Sequence, residues 1–475
     1  MLAFAEGDFV LGSHAESLMR SSNENIFPFL RDVLAYPDLP WFPQSSLPYE
    51  LVAGKKEQDN VQIPVLSESG RKELFSIVEL VTIVCEELRE FALDRLGEKM
   101  KRQLSVIFIV PTGINPKLAS ALKASGENAG FRSSFLVDEA LCVLNKLGIR
   151  GALNDAAMLT STIELLLVIN IGAACTRFAL VWSQHGQVGV MDVWVDSQIS
   201  GNAVQNAALR VAWQEFTRNT RMKDKAGNDP AACLPRRAAW RLNQALHECL
   251  PQLLSADGSA WCRCESLYED RDMNVRLLKA RVQAALSETD NLLAQQVGGA
   301  SARAGGPLRV VASGVSVPFF GSLQRCERLS SVLDPMQGAF NEVLRGGEAP
   351  VSHAGLSASL FLQVGELESS SSWLLLPRGY NHAHVSLEIP CHSDIFKGGN
   401  SISASVVEWL NQRADPVCRF TLSVDQPIPL GVAGALTLNG HLHLGKPDAR
   451  LELTLSATFQ EQTTAPVTLV LPLAR

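Results

Sequence analysis

The sequence predicts an α/β layer followed by a separate all-β domain. Between residues 79 and 149, segments with helical apolar spacing alternate with short buried strands, which is typical of α/β folds. After Glu368, apolar and polar residues alternate one by one, as in strands with one buried face. A chain of 475 residues is too long for one domain core. We therefore expect at least two domains.

The first part of the chain contains three predicted helices. The apolar spacing over residues 79–99 predicts a helix with one apolar face. The β-branched run LSVIFIVP at 104–111 predicts a strand buried on both faces. Residues 116–129 follow as a second helix, and FLVDEALCVLNKLG at 135–148 predicts a short strand that leads into a third.

Two turns of small residues follow buried strands in the middle of the chain. LLLVINIGAACTRFALVW at 165–182 predicts a strand, a turn and a second strand, with a third strand up to residue 195. LRVVASG at 308–314 again runs from a buried strand into a small-residue turn. Such turns hold phosphates when their backbone N–H groups point into one concavity. The intervening sequence, about 210–300, predicts a helical insertion.

The third region is predicted to be a β domain of about 100 residues. The run SSSS at 369–372 indicates a linker, so the predicted boundaries are 1–364, a linker at 365–372, and 373–475. Asn439-Gly440 between two alternating runs predicts a hairpin turn.

Composition excludes several classes. A net charge of −7 disfavours nonspecific binding of nucleic acid by the protein surface as a whole. No apolar run approaches the roughly 18 residues that span a bilayer. Without a signal-like start, we expect a cytoplasmic protein that binds no membrane and reads no nucleic-acid sequence. Ten cysteines are too sparse for a disulfide scaffold, and the close pair Cys262 and Cys264 is expected to be ordinary strand residues. The pairs His382/His384 and His441/His443 have metal-ligand spacing but are expected to be half-exposed strand residues.

Several blocks, in order, resemble the Hsp70 family. They are FIVPTGINPKLASALKASGENAGF at 108–131, LVDEALCVLNKLGI at 136–149, VDSQISGNAVQN at 195–206, ESLYEDRDMNVRLLKARV at 265–282 and ASGVSVP at 312–318. The resemblance covers residues 1–361 and implies the two-lobed actin/Hsp70-like nucleotide-binding fold. The C-terminal domain is similar to a shortened Hsp70 peptide-binding β-sandwich without the helical lid. In the family, the first phosphate loop precedes the segment that corresponds to the start of this chain. We therefore expect an N-terminally truncated first lobe.

The resemblance also assigns positions in the nucleotide site. The family's lysine corresponds to Arg31, and its two metal-side aspartates to Asn170 and Arg177. Two of three glycines in the phosphate turn are Ala173 and Ala174. The remaining matches are Glu139, Gly172, Gly201 and Gly314, for which structural roles as turn glycines and a helix-start glutamate are the favoured interpretation. We expect neither a catalytic residue nor a metal site, and the resemblance leaves two alternatives for the cofactor, none or ATP bound without hydrolysis.

The function implied is that of a non-catalytic Hsp70-like cochaperone. The architecture is similar to the lidless Hsp70 that pairs with a zuotin-type J-protein in the ribosome-associated complex. This implies a stable heterodimer, indirect ribosome contact and assistance to nascent polypeptides. The alternative is an ATP-driven Hsp70 chaperone whose N-terminus is incompletely represented. A metabolite kinase of the same superfold is disfavoured because it has no place for the Hsp70 blocks or the β domain.

Overall fold

The computed structural model describes most of the chain between residues 62 and 329 and most strands of the C-terminal region. The described residues are 2–5, 8–12, 15, 18, 25–27, 52, 62–66, 71–114, 116–147, 164–184, 187–220, 234, 236–255, 257–268, 271–304, 308–329, 336, 339, 359–364, 371–376, 384–392, 400–410, 413–424, 429, 431–443, 450–459 and 462–472.

Seven α-helices of at least seven residues lie in this part of the chain. They are α1 (Ile77–Leu96), α2 (Pro116–Asn128), α3 (Glu139–Lys146), α4 (Gly201–Asn219), α5 (Arg236–Gln252), α6 (Lys279–Ala285) and α7 (Ser287–Ala304). The first three confirm the predicted helices. Among the described residues, no helix has the length and apolar character needed to cross a membrane.

The N-terminal region contains three small sheets. Strands β1 (Leu2–Ala5), β2 (Asp8–Leu11) and β3 (Ile26–Phe27) form an antiparallel sheet, β4 (Gln62–Leu66) pairs with β5 (Lys72–Ser76), and β6 (Ser105–Val110) lies parallel to β7 (Ser133–Asp138). Helix α2 joins the two parallel strands, and the connection is long enough for the crossover of a βαβ unit. Because Val110 lies opposite Asp138, the residues that follow both strands meet at one sheet edge.

A five-stranded sheet occupies the middle of the chain, as the sequence predicted for its first three strands. Its order is β10-β9-β8-β13-β14, with β8 antiparallel to β9 and parallel to β13. The strands are β8 (Glu164–Ile171), β9 (Thr176–Gln184), β10 (Gln187–Asp196), β13 (Leu308–Ser313) and β14 (Glu327–Arg328). One face packs on α3 through Val168 and Ala179, and the other packs on α4 through Ile169 and Phe178.

The predicted helical insertion is not wholly helical. Strands β11 (Ser259–Tyr268) and β12 (Arg271–Leu278) form an antiparallel hairpin between α5 and α6. The side chains of β11 alternate between buried and exposed, so the two-residue period of this segment specifies a strand with one core face. Cys262 and Cys264 are buried free cysteines on that face, which confirms their prediction as strand residues.

The C-terminal region consists of two sheets. One has the order β16-β15-β18-β19, and the other has the order β17-β20-β21-β22 with β23 paired to β21. The strands are β15 (Ser359–Val364), β16 (Ser371–Leu376), β17 (His384–His392), β18 (Ser401–Leu410), β19 (Arg413–Ser423), β20 (Ala433–His443), β21 (Arg450–Phe459), β22 (Gln462–Thr463) and β23 (Val467–Pro472).

One local prediction about this region, the turn at Asn439-Gly440, is wrong, and the predicted domain boundaries stay a prediction. Residues 359–364, which those boundaries assign to the first domain, form β15 and pair with β16 and β18, and Ser371 of the predicted linker lies in β16. Leu360 and Leu362 are buried, and this alternation fixes which face of β15 joins the core. The dipeptide Asn439-Gly440 lies inside β20 and not in a turn, because partners on both β17 and β21 hold it in the ladder.

One buried apolar cluster contains residues from both the central sheet and the C-terminal sheets. Leu165 and Trp182 of the central sheet belong to it, together with Leu360, Leu438 and Leu453. The C-terminal region therefore shares a core with the sheet that carries the small-residue turn.

Candidate functional site

The candidate site lies where the ends of several strands meet. Glu139 begins α3 directly after β7, Gly172 and Ala173 lie in the turn between β8 and β9, Gly201 begins α4, and Gly314 follows β13. The structure therefore brings five of the six predicted site residues to one end of the central sheet and its neighbours. Arg31, the sixth, lies outside the described residues.

Asp138 is a buried carboxyl group that the sequence analysis did not select. It is the N-cap of α3, and its Oδ1 accepts hydrogen bonds from the Ala140 N–H (2.8 Å), the Leu141 N–H (3.3 Å) and the Thr112 hydroxyl (2.7 Å). Its Oδ2 is buried without a hydrogen-bond partner among the described residues. Burial, and to a lesser degree the charge of Glu139, raises the pKa of Asp138 to about 6. An aspartate between a strand and a helix is a common N-cap signal that could have identified it.

Glu139 is bound by Arg177 in a buried ion pair. The Arg177 Nε donates to Glu139 Oε2 at 2.7 Å, and its Nη2 donates to Oε1 at 3.2 Å. Their side chains are only 8% and 7% exposed. The two-pronged geometry satisfies both carboxylate oxygens with a fixed cation, which is the strong form of a charge-assisted hydrogen bond. Sequence reasoning identified both positions but not their contact.

The pairing follows from strand register. Arg177 lies directly opposite Asn170 on β9 and β8, and Asn170 in turn lies opposite Ser313 on β13. Arg177 therefore projects from the same face of the sheet as Val168 and Ala179, the face that packs against the first turns of α3. The guanidinium of Arg177, the position that the resemblance assigns to the family's second metal-side aspartate, therefore lies at the start of α3 and binds Glu139.

The N-terminus of α4 is closed by protein groups. The Gly201 N–H donates to Gly172 O and the Asn202 N–H donates to Ala173 O, both at 2.8 Å. The next two N–H groups donate to the hydroxyl and the carbonyl of Ser200, at 3.2 and 3.3 Å. The bond from Val204 to the Ser200 carbonyl is the first ordinary bond of the helix, whereas the N–H groups of Gly201, Asn202 and Ala203 are three of the four that a helix leaves without an intrahelical partner and that bind anions when they are free. In this helix these three N–H groups donate to other protein groups.

Close backbone packing explains two of the glycines. Gly314 has a φ of +120°, and a Cβ there would clash with the carbonyl oxygen of Ile171. A Cβ on Gly201 would lie 3.3 Å from the Cα of Ala173 and from the Ser316 Oγ. Both positions thus require or favour glycine because the three turns contact one another.

A cavity of about 290 Å³ opens beside the ion pair. It is lined by Thr112, Gly113, Glu139, Ala140, Val168, Asn170, Arg177, Phe178, Ala179, Val193, Trp194 and Val195. Its wall is largely apolar, with one ion pair, one hydroxyl and one amide. In the described part of the chain, no cluster of three or more His, Cys, Asp or Glu side chains has the geometry to hold a metal ion.

Comparison with known proteins gives a distant match. No protein-family model matches the chain. The chain is 26% identical over 220 residues to Heat shock 70 kDa protein 14 of Bos taurus, and 25% identical over 221 residues to that of Macaca fascicularis. Each match covers 46% of this chain, and the chain spans only 40% of the length of these relatives. These matches make the chain distantly similar to an Hsp70 protein over less than half of its length.

Proposed function

We propose that the chain is a non-catalytic Hsp70-like cochaperone that serves as a scaffold for a partner. The distant Hsp70 similarity supports a chaperone-like role. The single observation that carries the non-catalytic part is the buried ion pair between Glu139 and Arg177. In this proposal the guanidinium takes the place of a metal-bound nucleotide as the positive partner of the glutamate.

Phosphoryl transfer in this superfamily depends on positioning and electrostatics. It needs carboxylates that hold Mg²⁺ and water, and donors that cradle the phosphates. To bind a metal ion, Glu139 would have to leave a buried cation, and breaking a buried pair costs about 3 to 5 kcal/mol. Asn170 and Arg177 supply no carboxylate, and the N–H groups of Gly201, Asn202 and Ala203 at the start of α4 already have protein acceptors. These features support weak or no binding of Mg·ATP and the absence of turnover.

The proposed partner is a zuotin-type J-protein held in a stable heterodimer. Support comes from the resemblance to the lidless branch and from the two C-terminal sheets. Strands β16 and β19 lie at the ends of the first sheet, and an extended segment can add to such an edge through main-chain hydrogen bonds. Association with the ribosome and with nascent polypeptides would follow through the J-protein, in the cytoplasm.

A turnover assay tests the non-catalytic part. Purified protein should release no phosphate from ATP above the buffer background, with or without a J-domain. The matched control is the Glu139→Ala variant, which would have the same background rate as the parent. Hydrolysis by the parent that disappears in Glu139→Ala would support the alternative, an ATP-driven Hsp70 chaperone.

A co-purification experiment tests the partnership separately. Protein tagged at its native level should retain one J-protein at a stoichiometric amount through a salt wash that releases ribosomes. The variant Glu139→Ala should retain the same partner, provided that its circular dichroism spectrum shows that it is folded. Purification as a monomer without a J-protein would refute the scaffold proposal and leave the turnover result standing.

A further inference from the structure

The C-terminal half of α1 exposes large apolar side chains. Leu88, Phe91 and Leu96 are 52%, 55% and 59% exposed. Single exposed apolar residues are ordinary, but several on one helix form a patch of the kind that marks interaction sites. The helix begins with a complete capping box between Ser76 and Glu79, so its geometry is firmly set at the N-terminal end.

The exposed residues continue a regular stripe. Val81, Val84, Leu88, Phe91 and Arg95 follow one another at spacings of three and four residues, the pattern of a helix-packing seam. Val81 and Val84 pack against the apolar cluster of the N-terminal region. Leu88 and Phe91 extend the same stripe beyond that cluster into solvent. The helix therefore presents a seam whose first half is packed within the chain and whose second half is open.

The open half is bordered by acidic side chains. Glu87 and Asp94 are exposed and occupy equivalent positions one residue before Leu88 and Arg95, where flanking charges select the partner of a helix seam. Glu86 and Glu90 are also exposed on this helix. The pKa of Glu87 is raised, first by partial burial and then by the charges of Glu90, Asp8 and Glu86.

The basic residues of the helix leave this negative border in place. Arg95 lies on the stripe with its guanidinium 4.4 Å from the centre of the Phe91 ring, where it extends the contact surface. Arg89 is half-buried on another face, beside Gly130. A partner with positive flanking charges would therefore relieve repulsion among Glu86, Glu87 and Glu90, in addition to covering the apolar stripe.

We propose that this half of α1 is a docking surface for a basic amphipathic helix of a partner protein. The partner's apolar side chains pack on Leu88 and Phe91, and its Lys or Arg residues face Glu87 and Asp94. An antiparallel pair of two copies would place Glu87 and Asp94 opposite acidic residues, so charge favours a different chain as the occupant. The proposal stands independently of the proposed function.

A pair of synthetic helices tests the charge selectivity. The probe is a fluorescently labelled three-heptad peptide with Leu at both seam positions and Lys at both flanking positions, and its control carries Glu in place of Lys. Anisotropy with the full-length chain should show binding of the Lys peptide that is about tenfold or more tighter than binding of the Glu peptide. Added salt should reduce the difference because exposed charges are screened.

Surface variants locate the binding site. The double variant Leu88→Ser/Phe91→Ser should lose at least about tenfold in affinity for the Lys peptide. Val470→Ser, which removes a 61% exposed apolar side chain from β23, is the matched control and should bind as the parent does. The charge reversal Glu87→Lys/Asp94→Lys should make the Glu peptide the preferred ligand, an inversion that general damage to the fold cannot produce.

Three results would overturn the proposal. They are equal binding of the two peptides, binding that survives Leu88→Ser/Phe91→Ser, and self-association of the parent, seen by sedimentation velocity, that Phe91→Ser removes. The last result would assign the surface to a second copy of the chain.

Discussion

Removing the guanidinium of Arg177 should destabilise the protein far more than removing the ion pair as a whole. In Arg177→Met the Glu139 carboxylate, 7% exposed, would remain buried beside an apolar wall without its two hydrogen bonds at 2.7 and 3.2 Å. Removing one partner of a buried pair costs about 3 to 5 kcal/mol. This is a large fraction of the roughly 5 to 15 kcal/mol that stabilises a typical domain.

The double variant Glu139→Leu/Arg177→Met should recover most of that loss. Both charges are then replaced by apolar side chains of similar size, and such replacements are often neutral or stabilising. In the double-mutant cycle, the loss of stability in the double variant should therefore be smaller than the sum of the losses in the two single variants by about 2 kcal/mol or more.

Urea unfolding followed by tryptophan fluorescence provides the measurement, since Trp182 and Trp194 lie on strands of the same sheet. The matched control is Arg309→Met. Arg309 also pairs with carboxylates, Glu164 and Glu327, but its side chain is 37% exposed, so its loss should cost about 1 kcal/mol or less. A loss in Arg177→Met no larger than in Arg309→Met would refute the reasoning that the buried pair neutralises the site.

Three further changes test neighbouring groups by the same unfolding measurement. Gly314→Ala should lower the free energy of unfolding by about 2 kcal/mol or more, because φ is +120° and the new Cβ meets the Ile171 carbonyl oxygen. Its control, Gly298→Ala in α7, has no atom within 4 Å of the new Cβ and should raise the free energy of unfolding by about 0.5 to 1 kcal/mol, so equal effects would contradict the packing argument. The pKa of Asp138 is about 6 in the folded protein, against an ordinary value of 3.8, so its contribution to stability is most favourable below about pH 4 and falls by about 3 kcal/mol as the pH rises through 6. Asp138→Asn should remove that pH dependence, and an unchanged profile would show that the carboxyl group titrates normally. Thr112→Val removes a 2.7 Å hydrogen bond to Asp138 and should lower the free energy of unfolding by about 1.5 to 3 kcal/mol at pH 7 and by less at pH 4. A loss of stability that is independent of pH would contradict a charged acceptor.

The elements that the sequence predicted correctly are those whose pattern of apolar residues is complete within one helix or strand. The apolar spacing of α1 and the β-branched run of β6 were sufficient because each signal extends over a full element. The hairpin β11–β12 was missed although its alternation is visible, because charged residues on the exposed face resemble a solvated helix. Asn439-Gly440 failed as a turn signal because ladder partners on both sides outweighed a local preference.

The site was predictable by position but not by contact. Glu139 and Arg177 were both identified, yet they are 38 residues apart, and their contact depends on α3 packing against the face of β9 that carries Arg177. Whether the N–H groups of Gly201 and Asn202 are free could not be predicted either, because their acceptors are carbonyls of another turn. The assignment of Glu139 as a vestigial nucleotide residue remains a prediction.

The internal neutralisation of the site has a consequence for how a partner would be held. A ligand shifts a conformational equilibrium only by as much as its affinity differs between the two states. If Arg177 already supplies the positive charge beside Glu139, Mg·ATP has little differential energy to contribute. The core shared by the central sheet and the C-terminal sheets through Trp182 and Leu360 would then stay in one arrangement. A partner bound to that arrangement would experience no cycle of high and low affinity, which is the behaviour required of a permanent scaffold.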